Sequence, residues 1–390
     1  MIGVRKIKVK MVAHKGAPDS VFEEGRRMLE QVVPDDCIEF VQAEPNVLFF
    51  VTGGSERSAA ETAAKLHRVG LWAHESENSY ASAIETKAYF DQHNKNCYLW
   101  DIGDSHFQEQ VLNLQKTMQA KRTLKNRQLG LLGDVSEWLL ASDIPAVTLK
   151  ERFGIDLVPI SWDAVPLYKT CDASPEFDKQ FGTANPKLHE ASQVHGLLQK
   201  TIRDNALDAI TVECFPLVKE HGVTACLSLS LLNDLQIPAG CEGDLTAITG
   251  MMFAQALTGA IPWMANTNKI GHDIANFAHC TVPLSQVNKH TIPTHFETNE
   301  GTAIQGELSA EVLTVFRFDA MLEKMFVSLA QVIDRPKSAT ACRTQIVVKM
   351  PPADLLKLKN KPLGNHHLFL EGDYRERLSF AAQWFGLEVL

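Results

Sequence analysis

The feature that most constrains the fold is an alternation of short apolar runs with amphipathic helical stretches over the first 170 residues. The run IKVKMVA at 7–13 precedes the helical pattern VFEEGRRMLEQVV, and NVLFFVTGG at 46–54 precedes a predicted helix over 58–69. Alternating strands and helices, with glycines at strand ends, are typical of parallel sheets covered by helices on both faces. We therefore predict one Rossmann-like unit over 1–93 and a second over 94–184, divided at the polar stretch HNKN.

The pattern changes after residue 185. The segments ALDAITVECFPLV, CLSLSLLNDLQ and DLTAITGMMFAQALTG indicate a further α/β block. Beyond about Leu284, period-two alternation predicts antiparallel strands in a small barrel or a sandwich. These predicted strands are HTIPTHFE, TAIQGELS, LTVFRFD, KMFVSLAQVI and RTQIVVKM. The predicted fold class is α/β, with two Rossmann-like N-terminal units and a third domain over 185–390 that adds antiparallel β structure.

Charge, hydropathy and cysteine content limit the classes of partner and the compartment that we expect for this protein. The net charge is −9 at pH 7, and nucleic-acid binding needs a clustered basic field instead. No stretch approaches the ~18–20 apolar residues of a membrane helix, and the start MIGVRKIKVKMVAH alternates like a strand rather than a signal peptide. The eight cysteines include no CxxC pair, as is typical of a reducing compartment. We expect a cytoplasmic protein that binds neither nucleic acid nor membrane.

Glu242 is the first candidate site residue, because it stands between two glycines in GCEGDL at a strand-to-helix turn. Side chains at such a turn lie at the C-terminal edge of the sheet, where open α/β folds bind ligands. Asp244 is well placed to cap the following helix. The alternative interpretation is that Glu242 is a solvent-exposed loop acid.

Three histidines are candidate metal ligands. His279 lies after the apolar run IANFA in AHCTVP, and His366 and His367 begin a strand in GNHHLFLEGDY. Neighbouring strand residues point to opposite faces, so one of the pair can face a site while the other faces core or solvent. One carboxylate and two imidazoles suit a divalent metal such as Mn²⁺ or Co²⁺. A hydrogen-bonded core histidine is the alternative interpretation.

Other candidates carry weaker signals. Glu213 in VECFP is a candidate for proton transfer, with a buried strand acid as the alternative. The segment WAHESENSYASAIE suits either a helix cap or the polar rim of a sugar site. The glycine turn VTGGSE lacks the GxGxxG and GxxxxGK[ST] patterns of nucleotide sites, so we predict no nucleotide cofactor.

Taken together, these segments resemble the L-fucose isomerase and L-arabinose isomerase superfamily over most of the chain. The resemblance includes FFVTGGSE and AHESENSYASAIE, and it is strongest in LLNDLQIPAGCEGDLTAITGMM, AHCTVPLS and GNHHLFLEGDYRERLSFAAQWFGLEV. It implies two Rossmann-like N-terminal domains and a C-terminal domain with a β-barrel. It also implies a homo-oligomer, a trimer or hexamer, whose subunits share the site.

The resemblance further implies a metal shell. The family's metal-binding glutamate falls on Glu242, the histidine of its closing segment on His366, and the further histidine of the arabinose branch on His279. Its second acidic ligand falls on Asn266 in PWMANTN, which offers a carbonyl oxygen but neither charge nor proton transfer. The implied metal is Mn²⁺, with Co²⁺ or Mg²⁺ as alternatives.

The implied activity is aldose–ketose isomerisation of a monosaccharide through a cis-enediol, with Glu242 as base and metal ligand. Because Asn266 cannot transfer protons, Glu213 and Asp244 are the predicted substitutes for the missing acid. The substrate is a neutral sugar or a sulfosugar such as sulfoquinovose, on which some enzymes resembling this family act. The alternatives are a sugar-binding family member without turnover, which Asn266 favours, and a nucleotide-dependent Rossmann enzyme, which rests on the strand–helix alternation alone.

Overall fold

A computed structural model describes residues 6–34, 36–183 and 185–390, so the first five residues of the predicted N-terminal strand lie outside the described part. The chain divides into two compact units, Met1–Gln119 and Ala120–Leu390. Each unit contains its own hydrophobic core. None of the helices in the described residues is long and apolar enough to cross a membrane.

The first unit contains a parallel sheet. Its elements are β1 (Ile7–Val12), α1 (Asp19–Val32), β2 (Ile38–Phe40), β3 (Val47–Phe50), α2 (Glu56–Ala63), β4 (Arg68–Ala73), α3 (Ser79–Gln92), β5 (Asn96–Asp101) and α4 (Phe107–Leu124), which continues into the second unit. The strand order is β2-β1-β3-β4-β5, with all neighbours parallel. Strands β3 and β4 are almost entirely buried, as expected for a parallel sheet covered on both faces.

Strand β5 directly follows the predicted domain boundary at 93/94. It pairs with β4 along its whole length, from Arg68 opposite Asn96 to Ala73 opposite Asp101. The segment CYLWDIGD, with which the predicted second unit begins, therefore belongs to the first sheet. The division into three domains at 93/94 and 184/185 stays a prediction, and residue 184 lies outside the described residues.

The second unit begins with another parallel sheet. Its elements are β6 (Gln128–Leu132), α5 (Ala146–Phe153), β7 (Asp156–Ile160), α6 (Pro175–Phe181), α7 (Pro186–Asp204), β8 (Ala209–Val212), α8 (Phe215–His221), α9 (Cys226–Asp234), β9 (Ala239–Cys241) and α10 (Leu245–Thr258). The strand order is β7-β6-β8-β9. Glu213 directly follows β8 and Glu242 directly follows β9, so both lie at the C-terminal edge of this sheet.

The rest of the second unit is mainly antiparallel. Its elements are β10 (Trp263–Ile270), β11 (Ile274–His279), β12 (Val287–Thr291), β13 (Gln305–Leu308), β14 (Val312–Phe318), β15 (Lys324–Asp334), β16 (Thr344–Lys349), α11 (Pro352–Asn360), β17 (His366–Glu371), α12 (Arg375–Phe385) and β18 (Glu388–Val389). Six strands run in the order β14-β17-β10-β11-β16-β15, and pairing of β14 with β15 closes them into an antiparallel barrel. The predicted combination of parallel sheets with antiparallel β structure is confirmed, in the form of a closed barrel.

One predicted strand is wrong in part. The segment HTIPTHFE at 290–297 contributes only its first two residues to β12, and the rest is a loop. Pro293 has no N–H to donate to a strand ladder, and the backbone turns back where the N–H of His295 donates to the carbonyl of Glu300 at 2.9 Å. This loop contributes one wall of the cleft described below.

Helix α10 joins the parallel sheet to the barrel. It is buried on nearly all sides, as is typical of a helix whose residues are apolar all round. It contacts β8 and β9 on one side and β14 and β17 on the other. At Gly250 a side chain would collide with Leu368 of β17, so glycine permits the close approach. The helix thereby brings the sheet edge that carries Glu242 next to the barrel strand that begins at His366.

Candidate metal centre

Glu242 occupies a strained turn between β9 and α10. Its φ is +62° and that of Gly243 is +69°, so two consecutive residues adopt the left-handed conformation. Such conformations in residues other than glycine are costly and concentrate at functional sites. A Cβ on Gly243 would collide with the carbonyl oxygen of Asp134, which explains the glycine. The indole Nε1 of Trp138 donates to Glu242 Oε2 at 2.7 Å and fixes one carboxylate oxygen.

The barrel brings two histidines to the same carboxylate. Oε1 of Glu242 lies 3.9 Å from His279 Nε2 and 3.6 Å from His366 Nε2. One ligand atom from each of these three residues lies within 4.8 Å of the other two. Strand β10 lies between the strands that carry the histidines, because Asn266 pairs with both Ala278 and His366.

The three side chains fit a divalent metal in their donor chemistry. His366 Nε2 is buried and has no hydrogen-bond partner among the described residues, although it faces a carboxylate. Buried polar atoms are rarely left without a partner, and a bound ligand would supply the partner that this nitrogen lacks. One carboxylate and two imidazole nitrogens suit a borderline divalent ion. The predicted grouping of Glu242, His279 and His366 is therefore a possible metal site, and the identity of the metal stays a prediction.

Asp244 orients His366 from behind. Its Oδ2 lies 2.9 Å from His366 Nδ1, so an Nδ1–H donates to the carboxylate and leaves the Nε2 side facing Glu242. Carboxylate–histidine–metal arrangements of this kind are common because they fix the imidazole tautomer and its direction. The predicted helix cap is confirmed, since Asp244 Oδ1 accepts from the N–H of Ala247 at 2.7 Å. Thr246 donates to the same oxygen at 2.6 Å.

Arg317 compensates the negative charge of Asp244, the buried carboxylate that contacts His366. Its Nη1 lies 3.7 Å from Asp244 Oδ2 and also donates to the carbonyl oxygen of His366. Its Nη2 donates to Ser142 Oγ at 2.9 Å. The arginine side chain is 2% exposed and the aspartate 0%. A buried pair of this kind is maintained by its hydrogen bonds as much as by its charges.

The pKa values follow from this arrangement. Burial by itself raises the pKa of Glu242, but His366, His279 and Trp138 outweigh it and lower the pKa to about 2. Burial lowers the pKa of His366, but the carboxylates of Glu242 and Asp244 outweigh it and raise the pKa to about 9. For His279, burial and the nearby His366 lower the pKa to about 4. At pH 7 these pKa values make Glu242 a carboxylate beside one charged and one neutral imidazole.

The hydroxyl of Thr281 supports His279. Thr281 Oγ1 lies 2.7 Å from His279 Nδ1, and the N–H of Thr281 donates to the same nitrogen at 3.2 Å, so this side of the ring is held and Nε2 points toward Glu242. His367, by contrast, points to the other face of β17. Its Nδ1 lies 2.9 Å from Thr267 Oγ1, and its ring packs against Phe277 and Phe326. The two adjacent histidines thus face opposite sides, as the strand pattern predicted.

Asn266 lies beside the triad. Its Oδ1 accepts from Asn365 Nδ2, and its Nδ2 lies 3.9 Å from Cys342 Sγ. Glu213 Oε2 accepts from the N–H of Asp134 at 2.9 Å, and Asp244 stands behind His366. The predicted roles of Asn266 as a ligand and of Glu213 and Asp244 as substitute acids stay predictions.

An open cleft of 730 Å³ lies in front of Glu242. Cavities of roughly 300–1,000 Å³ are typical of small-molecule sites. Among the polar side chains of the lining, uncharged ones outnumber charged ones. The polar and charged residues along the cleft are Glu242, Asn266, Thr267, Asn268, Lys269, Asn276, Glu297, Ser338, Thr340, Gln345 and Asn365.

Comparison with known proteins gives one informative similarity. No protein-family model matches this sequence. The chain is similar to a sulfoquinovose isomerase. That protein, from Alkalicoccus urumqiensis, is 21% identical over 305 residues, which cover 73% of this chain and 69% of the relative. The narrower resemblance to L-fucose and L-arabinose isomerases stays a prediction.

Several side chains of this centre had no signal in the sequence. Trp138 is separated from Glu242 by 104 residues, and Arg317 lies 73 residues after Asp244 in an ordinary strand pattern. Thr281, two residues after His279, was the easiest to find, because a hydroxyl close to a candidate histidine ligand is a natural partner for its second nitrogen.

Proposed function

We propose that this chain is a metal-dependent aldose–ketose isomerase that acts on a monosaccharide. The observation that carries this proposal is the group of Glu242, His279 and His366, of which Glu242 lines a polar cleft. The similarity to a sulfoquinovose isomerase suggests a sugar isomerase family and supports the reaction class. The pattern of hydroxyl-binding amides along the cleft suits a polyhydroxylated ligand.

Glu242, His279 and His366 would hold the metal. When bound, a divalent metal polarises a carbonyl oxygen and stabilises negative charge that develops on the substrate. Glu242 acts beside it as the base that removes the proton from the carbon next to the carbonyl. Trp138 holds one oxygen of this carboxylate, so the other oxygen has a fixed direction.

The substrate that we favour is a sulfosugar of the sulfoquinovose type. Its support is the name of the similar protein together with Lys269. Of the described residues that line the cleft, Lys269 is the only lysine or arginine. A sulfonate at the end of the sugar away from Glu242 would take this ammonium and the amides around it as partners. A neutral pentose or 6-deoxyhexose is the alternative substrate.

The assay uses the full chain, stripped of metal and then supplied with Mn²⁺, Co²⁺ or Mg²⁺. Conversion of sulfoquinovose and of a panel of neutral aldoses to ketoses is followed by NMR. We expect metal-dependent turnover that Glu242→Gln reduces by at least about 1,000-fold, since both a ligand and the base are lost. Glu311→Gln, on an exposed side chain that pairs with Arg335 and does not line the cleft, is the matched control and should stay active.

The opposing proposal is a sugar-binding protein without turnover. Asn266 in place of a carboxylate is the observation that favours it. Tight Mn²⁺ binding and saturable sugar binding by calorimetry, with no ketose formed by the wild-type chain, would establish that function instead. A trimeric or hexameric assembly is part of the isomerase proposal, and sedimentation of the purified chain tests it.

A further inference from the structure

We infer that Glu297 supplies the second proton-transferring carboxylate of the cleft, in the role for which Asn266 is chemically unfit. This inference rests on the proposed isomerase function and adds a catalytic residue to it. Glu297 lies on the loop between β12 and β13, and it lines the same cleft as Glu242 and Asn266.

The carboxylate of Glu297 is available for chemistry. Among the described residues it has no hydrogen-bond or ion-pair partner, and the side chain is open to the cleft. Glu242, by contrast, accepts from Trp138 through Oε2 and has the two histidines within 3.9 Å of Oε1. Partial burial and the negative charge of Glu242 raise the pKa of Glu297, and the nearby His295 offsets part of this effect.

The loop holds Glu297 in a defined place. The N–H of His295 donates to Glu300 O at 2.9 Å, and the N–H of Asn299 donates to His295 O at 3.0 Å, so residue 297 lies at the tip of a closed turn. Arg343 Nε donates to Thr294 O at 2.8 Å and anchors the turn to the barrel.

An aromatic series connects this turn to Glu242. The ring of His295 packs edge-on against Phe215 at 5.8 Å. Phe215 in turn packs edge-on against Trp138, the indole that binds Glu242, with centroids 4.7 Å apart. Packing of these rings restrains the turn that carries Glu297 and the indole that binds Glu242.

The proton transfers balance with two carboxyl groups alone. Glu242 takes the proton from C2 of the aldose as the C1=C2 bond forms, and protonated Glu297 gives its proton to O1, which yields a neutral cis-enediol. Glu297 then accepts the proton from O2–H as the C2=O2 bond forms, and Glu242 returns its proton to C1. Both groups regain their starting states, and no oxidant or reductant is consumed.

The test compares three glutamine variants of the full-length chain with wild type, in the presence of Mn²⁺ and sulfoquinovose. Glu297→Gln should lower kcat by about 100-fold or more, the usual contribution of a positioned acid or base. Its Mn²⁺ affinity by calorimetry should stay within threefold of wild type, and the fall of kcat at high pH should disappear. Glu300→Gln, on the same turn with an exposed carboxylate, should behave as wild type.

Three outcomes would overturn the inference. One is a kcat for Glu297→Gln within threefold of wild type. A second is loss of Mn²⁺ binding in that variant, which would make Glu297 a ligand or a structural residue. The third is loss of turnover in Glu213→Gln while Glu297→Gln stays active, which would assign the role to the sequence-predicted acid. A wild-type chain that converts no sugar would instead overturn the proposed function, and this inference with it.

Discussion

The two walls of the cleft differ in how their polar groups are held. The inner wall is defined as Glu242 with His279 and His366, which lie within 3.9 Å of it; these side chains are largely buried, and each has a charged or hydroxyl neighbour at a short distance. The outer wall is defined as Lys269 and Glu297, which are exposed and have no hydrogen-bond or ion-pair partner among the described residues. Burial makes the inner wall sensitive to every missing partner, whereas solvent screens the outer wall. The inner wall therefore suits a fixed metal, and the outer wall suits recognition of a substrate.

The largest expected effect comes from removing the cation behind the inner wall. Arg317→Met removes the guanidinium beside the buried Asp244, and we expect the free energy of unfolding to fall by about 3–5 kcal/mol. Chemical denaturation of the metal-free protein measures the change. Arg375→Met is the control, because Arg375 pairs with Asp373 on the surface, where such a pair contributes about 1 kcal/mol or less. Equal losses in the two variants would show that the inner wall has no special sensitivity.

The second largest effect is expected from removing the hydroxyl of Thr281, which contacts the candidate metal ligand His279. Thr281→Val keeps the shape of the side chain but removes the hydroxyl partner of His279 Nδ1 and leaves only the backbone N–H there, and we expect Mn²⁺ affinity to fall about 10- to 100-fold. Thr267→Val is the matched control, since its hydroxyl serves His367 on the opposite face of β17. Calorimetric titration with Mn²⁺ compares the two. An equal loss of Mn²⁺ affinity in both variants would contradict the assignment of His279, and not His367, to the metal site.

A buried histidine outside the cleft tests how far neighbouring carboxylates control the pKa of a buried imidazole. His195 on α7 is fully buried, and burial lowers its pKa to about 4, with Glu176 and the Ser228 backbone offsetting only part of the effect. Because the folded state binds this proton less readily than the unfolded chain, stability is lost as pH falls below about 6.5 and the loss levels off near pH 4. From pH 7 to pH 5 we expect a loss of about 2 kcal/mol.

The variant His195→Gln should remove that part of the acid dependence. Denaturation at pH 7 and pH 5, with a chelator present, measures the difference. His189→Gln alters an exposed histidine on the same helix and should keep the wild-type dependence. A parallel pH dependence in His195→Gln and wild type would contradict the prediction and weaken the contrast with His366, whose carboxylate neighbours raise its pKa to about 9.

The smallest effect is expected on the outer wall. Lys269→Met should raise KM for sulfoquinovose about tenfold, or about 1.4 kcal/mol, because an exposed charge-assisted contact is partly screened. KM for a neutral aldose and the free energy of unfolding should stay unchanged. Lys289→Met, on the exposed strand β12, is the control. A similar rise in KM for both sugars would argue against recognition of an anionic group.

Local patterns were enough to predict much of the fold. Strand–helix alternation predicted parallel sheets, and period-two alternation predicted antiparallel strands near the C-terminus, because each pattern reflects which side chains one element must bury. The strand prediction over 290–297 was wrong beyond residue 291, where Pro293 and a turn follow. Local alternation of residues does not show where a strand loses its partner. The closure of the barrel depended on pairing between β14 and β15 and with strands far along the chain.

The sequence by itself determined the residue types of the centre: a glutamate between glycines, a histidine after an apolar run, and a pair of histidines of which one could face a site. Only the tertiary structure decided which atoms meet. Helix α10, buried between sheet and barrel, brings Glu242 to His366 across more than 120 residues of chain. The tertiary structure also places Asp244 and Arg317 behind the histidine and Glu297 in the same cleft as Glu242. Charges and hydrogen bonds act through distance in space, and distance in space is set by packing between elements that no local pattern records.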